Sequence, residues 1–345
     1  MVNKQTTGIL LANTGTPSAP TPQAVSSYLA QFLSDPRIVP MNRVAWWFIL
    51  HLFILPNRSR KSAAKYETIW TDKGSPLLAI QEELAHALQQ SFQQDGLDHL
   101  VVANGMSYGS PSIASALEKL RIAGCKQLYV LPLYPQSAYS TTAVIQDQMQ
   151  PALAKINWDV DYQLIDHYYD NPRYAQALAS SIKEAGFIAG SDDRLFLSFH
   201  SEPVKDIQAG DTYPQQCEAS SQQVAHALGA TPQQWSLSYQ CRFDKGRDWL
   251  GPFTTQTLDD LAGSQPRADR VFFVCPGFSV DCLETLYDVP SELQPHYEQA
   301  CASAGRPATE GNFIYVPCLN SRQSHVELLR SVLEPYLQTA QVAVT

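Results

Sequence analysis

Phosphate-binding glycine signatures are missing from this chain. Neither GxGxxG nor GxxxxGK[ST] occurs, which argues against a dinucleotide-dependent or P-loop enzyme. No two of the seven cysteines (125, 217, 241, 275, 282, 301, 318) form a CxxC pair. Ribbon-type zinc spacing is therefore absent, and the odd count suggests no disulfide framework. Basic residues are scarce: 24 Lys and Arg against 33 Asp and Glu leave a net charge of −9. A nucleic-acid partner needs a basic face to neutralise phosphate, so none is expected. The longest apolar stretch, WWFILHLFILP from Trp46 to Pro56, falls far short of the ~20 residues that cross a bilayer. The start, MVNKQTTGILLANTGTP, has an apolar stretch too short for a signal peptide and runs directly into a turn. A reducing, cytoplasmic setting fits these absences best.

What is present suits two globular domains. The 345 residues are 44% apolar, 10% aromatic and 17% charged, enough for two hydrophobic cores. Apolar, β-branched runs predict strands at Thr7–Ala12, His99–Ala103, Gln127–Pro132 and Val160–Ile165, then at Arg194–Phe199, Ser236–Gln240, Val271–Cys275 and Phe313–Val316. Helical patterns such as TPQAVSSYLAQFL, SPLLAIQEELAHALQQSF, SPSIASALEKLRIAG and PQQCEASSQQVAHAL lie between them, several opened by Ser, Thr or Pro. Alternation with near-continuous apolar strands predicts an α/β chain of two Rossmann-like, doubly wound domains, each with a four-stranded parallel sheet and with a cleft between them. The expected divisions are 1–168, 169–320 and a final helix in 321–345 that crosses back onto the first domain; the seam falls near Asp166–Tyr174.

In open α/β sheets ligands sit beyond the carboxyl ends of the strands. Those ends read ANTGTP, ANGMSYGSP, LPLYPQSAYSTT, LSFHSEP, SYQCRF, VCPGFSVD and VPCLN. Two features stand out there. His200 ends the strand in RLFLSFHSEP, and a helix after Cys275 carries Glu284, Asp288 and Glu292 at four-residue spacing. That spacing stacks like charges on one helical face at a cost of a few tenths of a kcal/mol per pair. Each feature has an ordinary reading, a structural histidine and a solvated acidic face. Together, at strand ends of one domain, they form an imidazole–carboxylate pair able to hold a divalent cation or move protons near neutral pH. The further acids can then hand cations or protons to it. Pro290 is expected to kink or end the helix. The stretch from Trp46 to Pro56, flanked by Arg43, Arg58, Arg60 and Lys61, reads either as a buried helix or as an apolar lip over a pocket, resting on a membrane surface with its cations toward headgroups.

Over nearly its whole length the chain resembles the ferrochelatase family, through ILLANTGTP, YLAQFLSDPRIV, WTDKGSPL, YGSPSI, LPLYPQ, STT, SFH-x-x-P, GDTYPQQC, WL-x-PFT, CPGFSVDCLETL and VPCLN. The resemblance implies a lyase that inserts Fe²⁺ into protoporphyrin IX to form protohaem, releasing two protons. It places the catalytic and metal-binding roles on His200 and Glu284, and a metal or proton path on Asp281, Asp288 and Glu292. Porphyrin contacts would come from Asn13, Thr14, Trp46, Trp47, Phe48, Leu50, Ser107, Tyr108, Tyr134 and Tyr139. It further implies porphyrin and ferrous iron as partners, no permanently bound cofactor, peripheral contact with the inner membrane surface, and handover of porphyrin from the preceding oxidase of haem synthesis. The end of the chain, LQTAQVAVT, has no cysteine, so no [2Fe–2S] cluster is expected.

Several motif positions depart from the family pattern. The usual His-Gly-apolar-Pro reads His200-Ser201-Glu202-Pro203, and Ser107 stands where an arginine is usual. Gln240-Cys241-Arg242-Phe243-Asp244 replaces Q-S-R-F-G, and Ser137-Ala138-Tyr139 replaces Tyr-Ser-Ala. Thr14 stands where coproporphyrin-type relatives have tyrosine, which favours protoporphyrin. Two other readings remain open: a paralogue that binds porphyrin or haem with little turnover, and a chelatase for another metal such as cobalt.

Overall fold

The computed structural model describes residues 5–242, 244, 246–264, 268–305 and 311–342; Phe243 of the altered motif lies outside them. The chain divides into two compact units, Met1–Asp166 and His167–Thr345.

The first unit is built on β1 (Thr7–Thr16), β2 (Leu100–Gly109), β3 (Gln127–Pro132) and β4 (Tyr162–Leu164). These are parallel in the order β2-β1-β3-β4. Among the described residues six α-helices accompany them: α1 (Pro22–Leu33), α2 (Arg43–Ile49), α3 (Leu55–Ile69), α4 (Pro76–Gln94), α5 (Ile113–Ile122) and α6 (Thr142–Lys155). The expected caps operate: Thr21 and Ser112 accept the N–H groups of Ala24 and Ser115, satisfying donors that a helix start leaves open. Ile9 to Ala12 of the central strand are fully buried, as a strand covered on both faces must be. One core packs Leu10 and Val130 against Leu117, Leu120, Ile145 and Met149 of α5 and α6. β1 and β2 run several residues beyond the sequence expectation and stay paired as far as Thr16 and Gly109. Gly15 makes this approach feasible: it has φ +107°, and a Cβ there would lie 1.8 Å from Tyr108 O.

The second unit repeats the plan with β5 (Arg194–His200), β6 (Trp235–Gln240), β7 (Val271–Val274) and β8 (Phe313–Val316), parallel in the order β6-β5-β7-β8. Its helices are α7 (Pro172–Glu184), α8 (Val204–Gln208), α9 (Tyr213–Leu228), α10 (Thr254–Gly263), α11 (Leu283–Leu286), α12 (Gln294–Ser303) and α13 (Gln323–Val342). Phe196, Phe273 and Phe313 stack across β5, β7 and β8 with centroids 5.4 and 5.5 Å apart. Leu258, Leu293 and Tyr297 close this core. The sequence suggests that the last helix crosses to the first domain. Just before that helix Arg322 reaches Glu184 of α7 at 2.8 Å, and Asn171, which caps α7, donates to Ser331 of the helix at 3.1 Å.

In each unit the first strand is central, with the second strand on one side and the third on the other. The strand order reverses at the carboxyl ends of β1 and β5, where a doubly wound sheet opens a crevice for ligands. Asn13 lies near the first of these points and His200 at the second.

Candidate active site

His200 closes β5 and pairs in register with Gln240, the last residue of β6. The imidazole keeps 36% of its side-chain surface open. Crowding by protein lowers its pKa from the ordinary 6.5, opposed by the Glu284 carboxylate and by a backbone hydrogen bond at Ser201. The ring is thus neutral at pH 7, with a lone pair available to a metal or a proton.

Glu284 sits in the four-residue helix α11, which the sequence around it fixes tightly. Cys282 and Thr285 form a reciprocal capping box. Gln240 ties the helix to the sheet: its side chain donates to Glu284 O at 3.4 Å while accepting from Ser198 at 2.7 Å. This link through Gln240 is one that sequence reading missed. The signal was its place, a buried amide at a strand's carboxyl end beside the candidate histidine.

Asp281, expected on the metal or proton path, is a buried fastening point. Its Oδ1 accepts from Thr285 at 2.9 Å, Tyr315 at 2.5 Å and the Cys318 N–H at 3.4 Å. Its Oδ2 accepts from Asn320 at 2.6 Å, and its own N–H donates back to Asn320 at 2.8 Å. With that many donors already satisfied, the carboxylate has little capacity left for a passing ion. Asn320 is held in turn. It adopts φ +51°, and its carbonyl accepts from His325 Nδ1 at 2.6 Å. His325 is fully buried, and its Nε2 has no hydrogen-bond partner among the described residues. Burial lowers its pKa from 6.5 to about 4. Below pH 6.5 the unfolded chain protonates this ring, while the folded chain does so only near pH 4. The folded state should therefore lose up to about 3 kcal/mol as pH falls through that window, and this group adds no pH dependence above it. Urea unfolding of wild type and His325→Gln between pH 7 and 4.5 checks this; equal slopes would contradict it.

The acidic ladder is real but is not one regular helix. α11 ends at Leu286, and after Tyr287 the chain enters a wide turn, Val289–Leu293, closed by the Gln294 N–H on Val289 O. Pro290 lies at the opening of this turn, where its missing N–H interrupts the regular ladder. Glu284 and Asp288 are half-buried, whereas Glu292 is exposed, so the three acids grade from solvent inward. Cys241, at φ +63°, donates its thiol to Asp288 Oδ2 at 3.5 Å. Burial first, then the charges of Asp288 and Glu284, push that thiol well above its usual range.

In the first unit, Asn13 Oδ1 accepts from Tyr134 OH at 2.9 Å and from the Thr14 N–H at 2.8 Å. Thr14 and Tyr134 also share a short hydroxyl contact. Tyr108 donates to Asp35 at 3.0 Å, and Arg37 Cζ lies over the Tyr139 ring, 5.9 Å from the ring centroid. Arg37, another residue the sequence reading passed over, is clamped by Asp147 at 2.5 and 3.1 Å. Ser107 is half-buried in β2. Gly105-Met106-Ser107-Tyr108-Gly109 spells G-x-S-x-G, but Ser107 lies in extended strand, not on the strand-to-helix turn that a nucleophile elbow requires.

The lip divides by face. Trp46 and Leu50 cannot line a wall: Trp46 is 9% exposed and donates its indole N–H to Leu33 O at 2.6 Å, and Leu50 is fully buried. They are four apart and share the core-facing side of the helix. Trp47 and Phe48 are 53% and 52% exposed, and Leu52 and Phe53 join them at 61% and 64%. Between α2 and α3 lies a second wide turn, Leu50–Ile54, with the Leu55 N–H on Leu50 O. Its i→i+5 pitch shifts the helical phase and brings Phe53 outward, which a regular period does not foresee. Among the described residues no helix is long and apolar enough to cross a membrane.

Comparison with known proteins agrees with this plan. Among solved structures, SirB from Bacillus subtilis with Fe³⁺ superposes with a TM-score of 0.56 at 10% identity, covering 95% of this chain and 94% of that one. The sirohydrochlorin chelatase SirB from Bacillus subtilis subspecies spizizenii in complex with cobalt gives 0.52, also at 10% identity and with the same coverage. At such identity the likeness concerns the fold alone, which is that of the chelatases. In sequence the chain is 40% identical over 333 residues to a ferrochelatase of Actinobacillus pleuropneumoniae serotype 7, covering 96% of this chain and 99% of the relative. It is 40% identical over 336 residues to one of Vibrio cholerae serotype O1, covering 97% and 99%. The family profile described as ferrochelatase matches residues 6–336, and with relatives matched along their whole length the chain belongs to the ferrochelatase family.

Proposed function

We propose that the chain is a lyase that inserts Fe²⁺ into protoporphyrin IX, with His200 and Glu284 as its catalytic pair. The observation that carries this reading is the neutral imidazole at the end of β5, within electrostatic reach of a carboxylate on a short helix that Gln240 and the Asp281 fastening tie down. Free porphyrin carries two pyrrole N–H protons. Both must leave as the ion enters, so metallation needs a proton acceptor beside a metal donor. His200 takes the protons and Glu284 holds the ion while pyrrole nitrogens replace its water. Asp288 and Glu292 pass ions or protons between solvent and the pair, which is a use for a ladder that otherwise only repels itself.

On this reading Trp47, Phe48, Leu52 and Phe53 supply apolar surface to the macrocycle rim and to a membrane surface, with Arg58, Arg60 and Lys61 toward lipid headgroups. Asn13, Thr14, Tyr134 and Tyr139 face porphyrin substituents. The protein works in the cytoplasm without a resident cofactor, receiving its porphyrin from the oxidase that precedes it. Replacing Leu52 and Phe53 together by serine is expected to reduce sedimentation with anionic vesicles several-fold and to raise KM for porphyrin. Unchanged values of both would remove the lip from the account.

The first experiment is anaerobic mixing of wild-type protein with protoporphyrin IX and Fe²⁺, followed by absorbance. Sustained haem formation supports the reading. The altered loops at Ser107 and Ser201 favour one rival, a porphyrin-binding paralogue, for which binding without turnover is the signature.

A further inference from the structure

Glu202 stands where the resembled motif has an apolar residue, and the mechanism above does not use it. It is a buried carboxylate, 3% exposed, and its Oε1 lies 4.0 Å from His200 Nδ1. The backbone carrying both residues is strapped on two sides. Ser201 N–H donates to Gln240 O at 2.8 Å, and Leu250 N–H donates to Glu202 O at 2.9 Å. Val204 N–H donates to Asp248 O at 2.9 Å, and Pro203 bridges Trp249. The Ser201 hydroxyl, the other departure, donates to Leu250 O at 2.8 Å. The backbone of Glu202 is therefore held on the Nδ1 side of the imidazole, beside the backbone contact that Ser201 makes with the ring, while these straps do not fix its side-chain torsions. Burying a carboxylate is costly unless polar or cationic groups meet it. The Tyr213 phenol and the Cys217 thiol of α9 lie within its electrostatic reach, and the imidazole Nδ1 stands 4.0 Å away.

We propose that Glu202 is a positioning residue: it takes the Nδ1–H of His200, fixes the ring and its tautomer, and so leaves Nε2 as the free lone pair. This rests on the reading of His200 as the working imidazole. Histidines that bind metals or act as bases characteristically give their other ring N–H to a carboxylate or carbonyl, which sets the reactive nitrogen. A separation of 4.0 Å exceeds hydrogen-bond length. Closure by about 1 Å through the side-chain torsions makes the contact, and such contacts tighten when substrate binds.

Two variants test this. Glu202→Leu returns the apolar side chain, and Glu202→Gln keeps an acceptor without the charge. Nitrogen-15 NMR of histidine-labelled protein, with His200→Ala to assign the signal, reads the tautomer without any turnover. Glu202→Leu is expected to move the His200 ring-nitrogen shifts from one tautomer toward a mixture. It should also lower kcat for Fe²⁺ insertion by ~10–100-fold with KM for porphyrin little changed. Glu202→Gln should retain the tautomer and most of kcat. A Glu202→Leu protein with wild-type shifts and wild-type kcat overturns the proposal. If wild type binds porphyrin without metallating it, the functional reading fails, and the NMR comparison still decides the role of Glu202.

Discussion

Glu284→Ala and His200→Ala are each expected to lower kcat for Fe²⁺ insertion by roughly 10²–10⁴-fold, the usual worth of a positioned acid–base group. The two residues act on the same event, deprotonation of the pyrroles as the ion enters. The double variant should therefore be little worse than the poorer single one. Neither truncation touches a core: the imidazole is partly open and Glu284 is half-buried, so porphyrin affinity and unfolding midpoint should hold. The pH profile carries the same claim. His200 titrates below 6.5, so kcat/KM should persist into mildly acid solution and fall only as the ring protonates. Wild-type rates in either single variant would sink the pair as the reaction centre.

Asp281→Ala is expected to cost about 3–5 kcal/mol in unfolding free energy, because buried donors left without a partner cost ~1–3 kcal/mol each and some will find new ones. Three donors lose their acceptor, the Tyr315 hydroxyl, the Asn320 amide and the Cys318 N–H, and the Thr285 hydroxyl is left with Cys282 O alone at 3.2 Å. Thr285 lies in α11 beside Glu284, so turnover should fall with stability. The path role makes a different forecast, a lost rate with unfolding unchanged. Urea unfolding beside steady-state rates separates the two, and a destabilisation below about 1 kcal/mol would contradict the fastening role.

How much of this was legible in the sequence depended on the physical range of the signal. All eight strands are found where the apolar runs place them, since a strand covered on both faces has little choice of residue. The places of His200 and Glu284, at or just beyond strand ends, were legible from the apolar runs before them, whereas their roles came from the family resemblance. Trp46 and Leu50 were misjudged as wall residues because composition cannot say which face of an apolar helix turns inward. The wide turns at Leu50–Ile54 and Val289–Leu293 leave no mark in hydrophobic period, yet one decides what the lip exposes and the other how the ladder runs. Gln240, Asn320 and the fastening of Asp281 depend on partners tens of residues away in the chain, a pairing that one sequence cannot display.

The reaction centre is tested most directly in a single turnover. Protein preloaded with protoporphyrin IX is mixed anaerobically with Fe²⁺ in a stopped-flow spectrometer, wild type beside Glu284→Gln, a variant that keeps shape and loses charge. The expected result is rapid replacement of the porphyrin spectrum by that of haem in wild type, and bound porphyrin left unmetallated in Glu284→Gln. Equal rates in both proteins, or a wild type that holds porphyrin and never metallates it, would contradict the account.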